Sequence, residues 1–229
     1  MNSIRQQITK SNAAGDYPYM YTLISRGSRF SLFLMTALCF PIIINVNFVL
    51  KIWLGSVPEY TSNFIIWTLV YLLVIPFSNI LDNVLMATGK IKQSQVLLSI
   101  LQLCNIPVSC FILFLGCPPY YIYASYITIS YISLAVRIHF SSKNAGFSVS
   151  NYLLDTLCKP VAITIVSFLI SYMISFLLND VINIMNEFIK CIMNIAFTES
   201  VLILLCLSFG TEKVERDFLL KIIKLKLKI

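Results

Sequence analysis

The sequence predicts an all-α protein, a polytopic transmembrane helix bundle of about six spans, and three observations carry that prediction. Hydrophobic residues make up 58% of the 229 positions and charged residues only 12%, with a mean hydropathy of +0.84. Soluble domains carry about a quarter charged residues, so this chain has too little polar surface to cover a water-facing globule. The apolar residues gather into stretches of about 20 with almost no ionisable group, the length that a bilayer core of roughly 30 Å demands of a helix. Lysine and arginine, finally, fall in alternate connections. Lipid offers no partner to backbone N–H and C=O groups, which leaves helices, and the stretches are too long for barrel strands.

The spans are expected over about Phe30 to Leu50, Phe64 to Met86, Val96 to Gly116, Tyr120 to Val136, Val161 to Leu178 and Phe188 to Phe209. Together they form a bundle over residues 30–209. Residues 1–29 precede it as a cytoplasmic loop and an interfacial helix, in which Tyr19, Tyr21, Leu23 and Ile24 are available to the membrane surface. No short apolar core with a small-residue cleavage site precedes the first span, so insertion is expected to rely on that span or on sequence upstream. A basic tail, 210–229, closes the chain. In "LLKIIKLKLKI" Lys221, Lys224 and Lys228 share one helical face and Leu and Ile fill the rest, the pattern of a segment lying in the interface.

Short cytoplasmic loops retain positive charge during insertion. Of the 17 Lys and Arg, one side takes Arg5, Lys10, Arg26, Arg29, Lys90, Lys92, Arg137, Lys143, Lys159 and the six of the tail. The other side takes only Lys51 and Lys190, together with Glu59, Asp180 and Glu187. Both termini are therefore expected in the cytoplasm, and an even number of spans follows. The same alternation assigns the +7 net charge and the pI near 9.0 to an anionic membrane leaflet rather than to nucleic acid.

Chemistry is sparse. One histidine, His139, beside Arg137, builds neither a metal site nor a nucleophile triad. The seven cysteines have no paired spacing, and most sit inside spans, where they read as small apolar residues rather than as a disulfide or metal framework. Only Cys117, beside Pro118 and Pro119, falls in an external turn. "MATGKIKQSQ" pairs Gly89 with Lys90, but a phosphate loop needs a second glycine and a Ser or Thr after the lysine, and Ile91 stands there. Gly89 instead takes the left-handed position after a helix, and Lys90 and Lys92 hold a cytoplasmic turn. No metal or cofactor is expected. A membrane-embedded enzyme is disfavoured, because the longest connection, about Arg137 to Pro160, holds one acid, Asp155.

Polar groups inside the spans are the remaining candidates, since an ionisable group at the bilayer centre costs about 2.5–3.5 kcal/mol and turns toward protein or water. Glu199, with Asn194 and Thr198 nearby, is the clearest. Asp82 follows, on the helical side of Asn79. Asn45, Asn47, Gln102 and Asn105 are expected to add hydrogen-bonding groups to a shared cavity; the plain alternative is that they join helices, each pair contributing about 0.6 kcal/mol. Pro41, Pro76 and Pro107 are expected to kink the first three spans.

"FPIIINVNFVLKIWLGSVPEY", followed by "FIIWTLVYLLVIPFSNILDNVLMATGKIKQSQ", resembles the lipopolysaccharide and capsular polysaccharide flippases of bacteria, in the multidrug/oligosaccharidyl-lipid/polysaccharide exporter superfamily. The matching features are a proline-containing span ending in Trp53-Leu54-Gly55, the Pro58-Glu59-Tyr60 turn, and a second span closing on Ala87-Thr88-Gly89-Lys90. The resemblance is specific over about residues 36 to 95. It implies a two-lobed architecture of about twelve or fourteen spans, of which this chain is similar to the carboxyl-terminal part. The amino-terminal lobe would then come from a missing segment or a partner chain. It further implies a transporter of the bacterial inner membrane that carries a lipid-linked oligosaccharide to the outer leaflet by alternating access, for lipopolysaccharide or capsule biosynthesis. Lys190 is the one intramembrane cation available to the substrate, and Glu199 or Asp82 would serve ion coupling. A drug or metabolite exporter of the same superfamily and a non-transporting membrane subunit are the alternatives.

Overall fold

The computed structural model describes residues 2–181, 187–211 and 216, and among these every regular element is helical. In chain order they are α1 (Asn2–Ala14), α2 (Tyr17–Ile44), α3 (Val46–Leu54), α4 (Thr61–Leu72), α5 (Ile75–Ala87), α6 (Ile91–Phe114), α7 (Ile122–Ala145), the short α8 (Val149–Asn151), α9 (Lys159–Val181) and α10 (Glu187–Leu205). Wide π-helical segments, Tyr152–Cys158 and Cys206–Gly210, precede α9 and follow α10.

Five stretches are long and apolar enough to cross a membrane: Tyr17–Ile44, Thr61–Ala87, Ile91–Phe114, Val149–Leu177 and Glu187–Gly210. The chain is thus a multi-pass membrane helix bundle. The fourth expected span, α7, equals α6 at 24 residues but is not among the five. Serines, Thr128 and Arg137 lower its hydropathy, and it lies against both α5 and α6, where protein rather than lipid meets much of its polar side.

Several helices outrun their expected bounds. The interfacial helix expected before residue 30 is instead the first part of α2, begun by the Asp16 carboxylate, which accepts from the Tyr19 N–H at 3.1 Å. Pro18 sits in that first turn, where its missing N–H leaves no bond unmade. Ile24, expected at the membrane surface, is fully buried, as is Ile8 of α1, because α1 lies against α2 and α5 and converts this face into protein core. Gly27 of α2 permits the close approach of α5: a Cβ there would stand 3.1 Å from Ile80 Cδ1. The long connection expected over residues 137–160 shrinks to residues 146–148, since α7 runs on to Ala145 and α8 starts at Val149. Hydropathy marks where a helix leaves lipid, whereas backbone hydrogen bonding continues beyond it.

Breaks fall where side chains interfere with the ladder. Proline 76 has no N–H for the Leu72 carbonyl and its ring crowds that position, and α4 ends at Leu72. Asparagine 45 directs both its backbone N–H and its Nδ2 to the Pro41 carbonyl, at 3.1 and 2.9 Å, separating α2 from α3. Pro107, expected to kink its span, lies within an uninterrupted α6.

Helix α5 is the axis of the core. Ile80, Leu81 and Val84 are fully buried, packed with residues of α1, α2 and α7 and with Tyr152, and Leu85 is buried as well. On α9, Thr164, Ser167, Ser171 and Ser175 form a buried stripe of small side chains that lets α10 and α2 come close. At the opposite end from α1, aromatic pairs join the α4 and α7 side of the bundle: Tyr60–Tyr120, Phe64–Tyr123 and Tyr71–Tyr126, with centroids 5.7, 5.9 and 6.1 Å apart. Helix α6 is peripheral; only Ser94, Leu98 and Asn105 are buried, and most of its other large apolar side chains are exposed, as a lipid-facing helix requires. The expected tail helix falls largely on residues outside those described.

Candidate functional site: a charged cavity inside the bundle

Between α5, α6 and α7 lies a cavity of about 370 Å³. Asp82 and Asn79 of α5, Gln102 and Asn105 of α6, and Ser130 and Ser133 of α7 line it, with Tyr71 and Tyr126 toward the far end. Asn79 and Asp82 are three residues apart and so share one face of α5. From Tyr126 to Arg137 is eleven residues of uninterrupted α7, so the cavity reaches about 16 Å along the bundle.

Its charged end is an ion pair. Arg137 Nε donates to Asp82 Oδ1 at 2.8 Å, with side chains 12% and 22% exposed. Among the described residues this is a single-point contact, which leaves Oδ2 and the terminal guanidinium nitrogens for water or a ligand. At the other end Ser125 Oγ donates to Asn105 Oδ1 at 2.8 Å, and Ser109 Oγ is 3.2 Å from Ser125 Oγ. Guanidinium, carboxylate, amides and hydroxyls together recognise a hydroxyl-rich or anionic group. The volume equals roughly a dozen waters at ~30 Å³ each, room for one polar headgroup.

The polar residues expected to share one cavity divide instead into separate places. Asp82, Asn105, Gln102 and Asn79 come together as above. Asn45 joins α10, its Oδ1 accepting from Asn194 Nδ2 at 3.0 Å, and reads as a helix-to-helix bond. Asn47 Oδ1 accepts from Ser62 Oγ at 2.8 Å, beside the turn between α3 and α4. Glu199 is half-buried on α10, which packs on α9 and α2, and it lines none of the cavities described here. The reason is rotational: residues at similar depth on different helices face different neighbours.

Sequence reasoning passed over Arg137, counted there among the loop charges. It sits eight residues before the end of α7 and pairs with Asp82, five residues before the end of α5. Comparable depth of opposite charges on two helices that end at the same side was the signal. Lys51 and Glu187, both expected on the other side, pair at 3.0 Å. Gly89, at φ +71, is the left-handed residue just beyond α5, its N–H donating to the Met86 carbonyl at 3.2 Å.

On the other face of α7, Tyr131 and Leu134 border a second cavity of about 440 Å³, apolar and shared with α2, α4, α5 and α9, where Phe40, Phe77, Phe168 and Val161 line it. Polar and apolar cavities thus share α7 as a wall. Among the described residues no His, Cys, Asp and Glu cluster could hold a metal ion.

Comparison with known proteins finds no matching family model, no matching curated protein and no matching solved structure.

Proposed function

We propose that this chain takes part in moving an amphipathic lipid-linked oligosaccharide across a bacterial inner membrane, both termini cytoplasmic, with a further lobe or partner chain completing the path. The observation that carries the reading is the pairing of cavities on α7, one closed by Asp82 and Arg137 and one apolar. A lipid-linked sugar has both chemistries in one molecule: a phosphate and hydroxyls for the first cavity, a hydrocarbon chain for the second. Phosphate is a better partner for a guanidinium than a single carboxylate oxygen, so an arriving headgroup would exchange for Asp82 on Arg137. Breaking the pair would free α5 from α7, the kind of two-arrangement contact that alternating access needs.

The test is genetic complementation read by chemistry. Deleting the gene should make lipid-linked sugar accumulate on the cytoplasmic leaflet; the parent chain should clear it, and Arg137→Gln should not, at equal membrane levels of protein. No accumulation in the deletion strain would overturn the reading, and greater sensitivity to hydrophobic drugs in that strain would favour an exporter using the apolar cavity alone.

A further inference from the structure

A second charged place lies where α5, α6 and α7 end on the side of α1. A cavity of about 430 Å³ is lined by Lys90 and Lys92 at the start of α6 and by Lys143 and Asn144 at the end of α7, with Gln93 and Phe140 beside them. All three lysines are exposed, and none enters an ion pair among the described residues. Three like charges around one hollow repel one another, a cost that an anion in the hollow removes. The first turn of α6 has no side-chain cap, so its amide N–H groups add to the same positive potential.

The surroundings identify the kind of anion. Helix α6 climbs from these lysines with Val96, Leu97, Ile100, Leu103 and Ile106 exposed, between 39% and 65%. That apolar strip begins about one turn above Lys92. A molecule with its phosphate in the lysine hollow therefore has an apolar surface for its chains directly above, whereas a free phosphate or nucleotide has no use for the strip. We infer that Lys90, Lys92 and Lys143 form a headgroup site for an anionic phospholipid of the surrounding leaflet, held with its acyl chains along α6. This site is separate from the Asp82–Arg137 cavity, and it stands whether or not the chain transports a lipid-linked sugar.

Titration of the purified full-length chain with phosphatidylglycerol or phosphatidylcholine, followed by native mass spectrometry, tests this. The parent should retain phosphatidylglycerol over phosphatidylcholine, and the triple variant Lys90→Gln/Lys92→Gln/Lys143→Gln should lose affinity for the anionic lipid by at least tenfold, near fivefold per lysine being typical. Phosphatidylcholine retention should not change, and Lys51→Gln at the opposite end should behave as the parent. A measurement on the unaltered chain covers failure of the variant to fold: raising salt should weaken phosphatidylglycerol retention and leave phosphatidylcholine as it was. Equal retention of phosphatidylglycerol by parent and triple variant overturns the site. Displacement of the lipid by millimolar inorganic phosphate overturns it as a lipid site and makes it one for free anions.

Discussion

Replacing Asp82 by Asn keeps the shape of the carboxyl and removes its charge, leaving Arg137, whose side chain is 12% exposed, without a counter-ion. With charge centres about 4 Å apart and an effective dielectric near 20, the lost attraction is about 4 kcal/mol. Stranding one member of such a buried pair costs about 3–5 kcal/mol, and the polar lining of the adjoining cavity, which solvates part of the stranded guanidinium, places the expected loss at the low end. Arg137→Gln should cost less, about 2–3 kcal/mol, since Asp82 is the more exposed partner and is easier to hydrate. The double variant strands neither charge. Its loss should fall short of the sum of the single losses by about 2–3 kcal/mol, which is the interaction term of a double-mutant cycle. Equilibrium unfolding of the purified chain and its three variants in mixed detergent micelles measures all four corners. Additivity within about 0.5 kcal/mol would refute the reasoning, for it would mean that Asp82 and Arg137 do not act on one another.

Other outcomes follow from single contacts. Gly89→Ala should lose about 1 kcal/mol in the same unfolding assay, because φ is +71 there and a Cβ meets nothing within 4 Å, so that the cost is purely conformational. Asn105→Ala removes one of the two acceptors of the Ser125 hydroxyl, the Ile122 carbonyl at 2.7 Å remaining, and should cost about 0.6 kcal/mol, the average for such bonds in membrane bundles. A membrane-impermeant maleimide on intact cells should label Cys117, in the turn between α6 and α7, and leave buried Cys39 and Cys191 untouched; labelling of Cys117 only after permeabilisation would reverse the proposed orientation.

Much of the fold was legible because hydropathy adds along a chain. Five of the six expected spans correspond to stretches long and apolar enough to cross, and the break at Leu72 follows from Pro76. Gly89 was legible for a local reason too: a helix end, a glycine and two lysines describe a turn without reference to any other helix. The candidate site was legible only in part. Asp82 and Asn79 announced a polar face of α5, and Asn105 and Gln102 one of α6, yet Asn45, with the same composition signal, bonds to Asn194 elsewhere. Glu199, the most prominent acid by position, lines none of the cavities described above, while Arg137 was hidden by its closeness to a helix end.

The division has a physical basis. Composition, the spacing of apolar runs and the placement of lysine and arginine determine that this chain is a multi-pass helical membrane protein, since each residue's transfer between water and lipid is almost independent of the others. Which helices touch is a different kind of quantity. The burial of α1, the continuation of α2 and α7 beyond their apolar runs, the Asp82–Arg137 pair and the two cavities on either side of α7 depend on the rotation and neighbours of whole helices. In lipid those are decided by close packing and hydrogen bonds between surfaces, not by hydropathy. Only the tertiary structure could bring residues 82 and 137 to within 2.8 Å of one another.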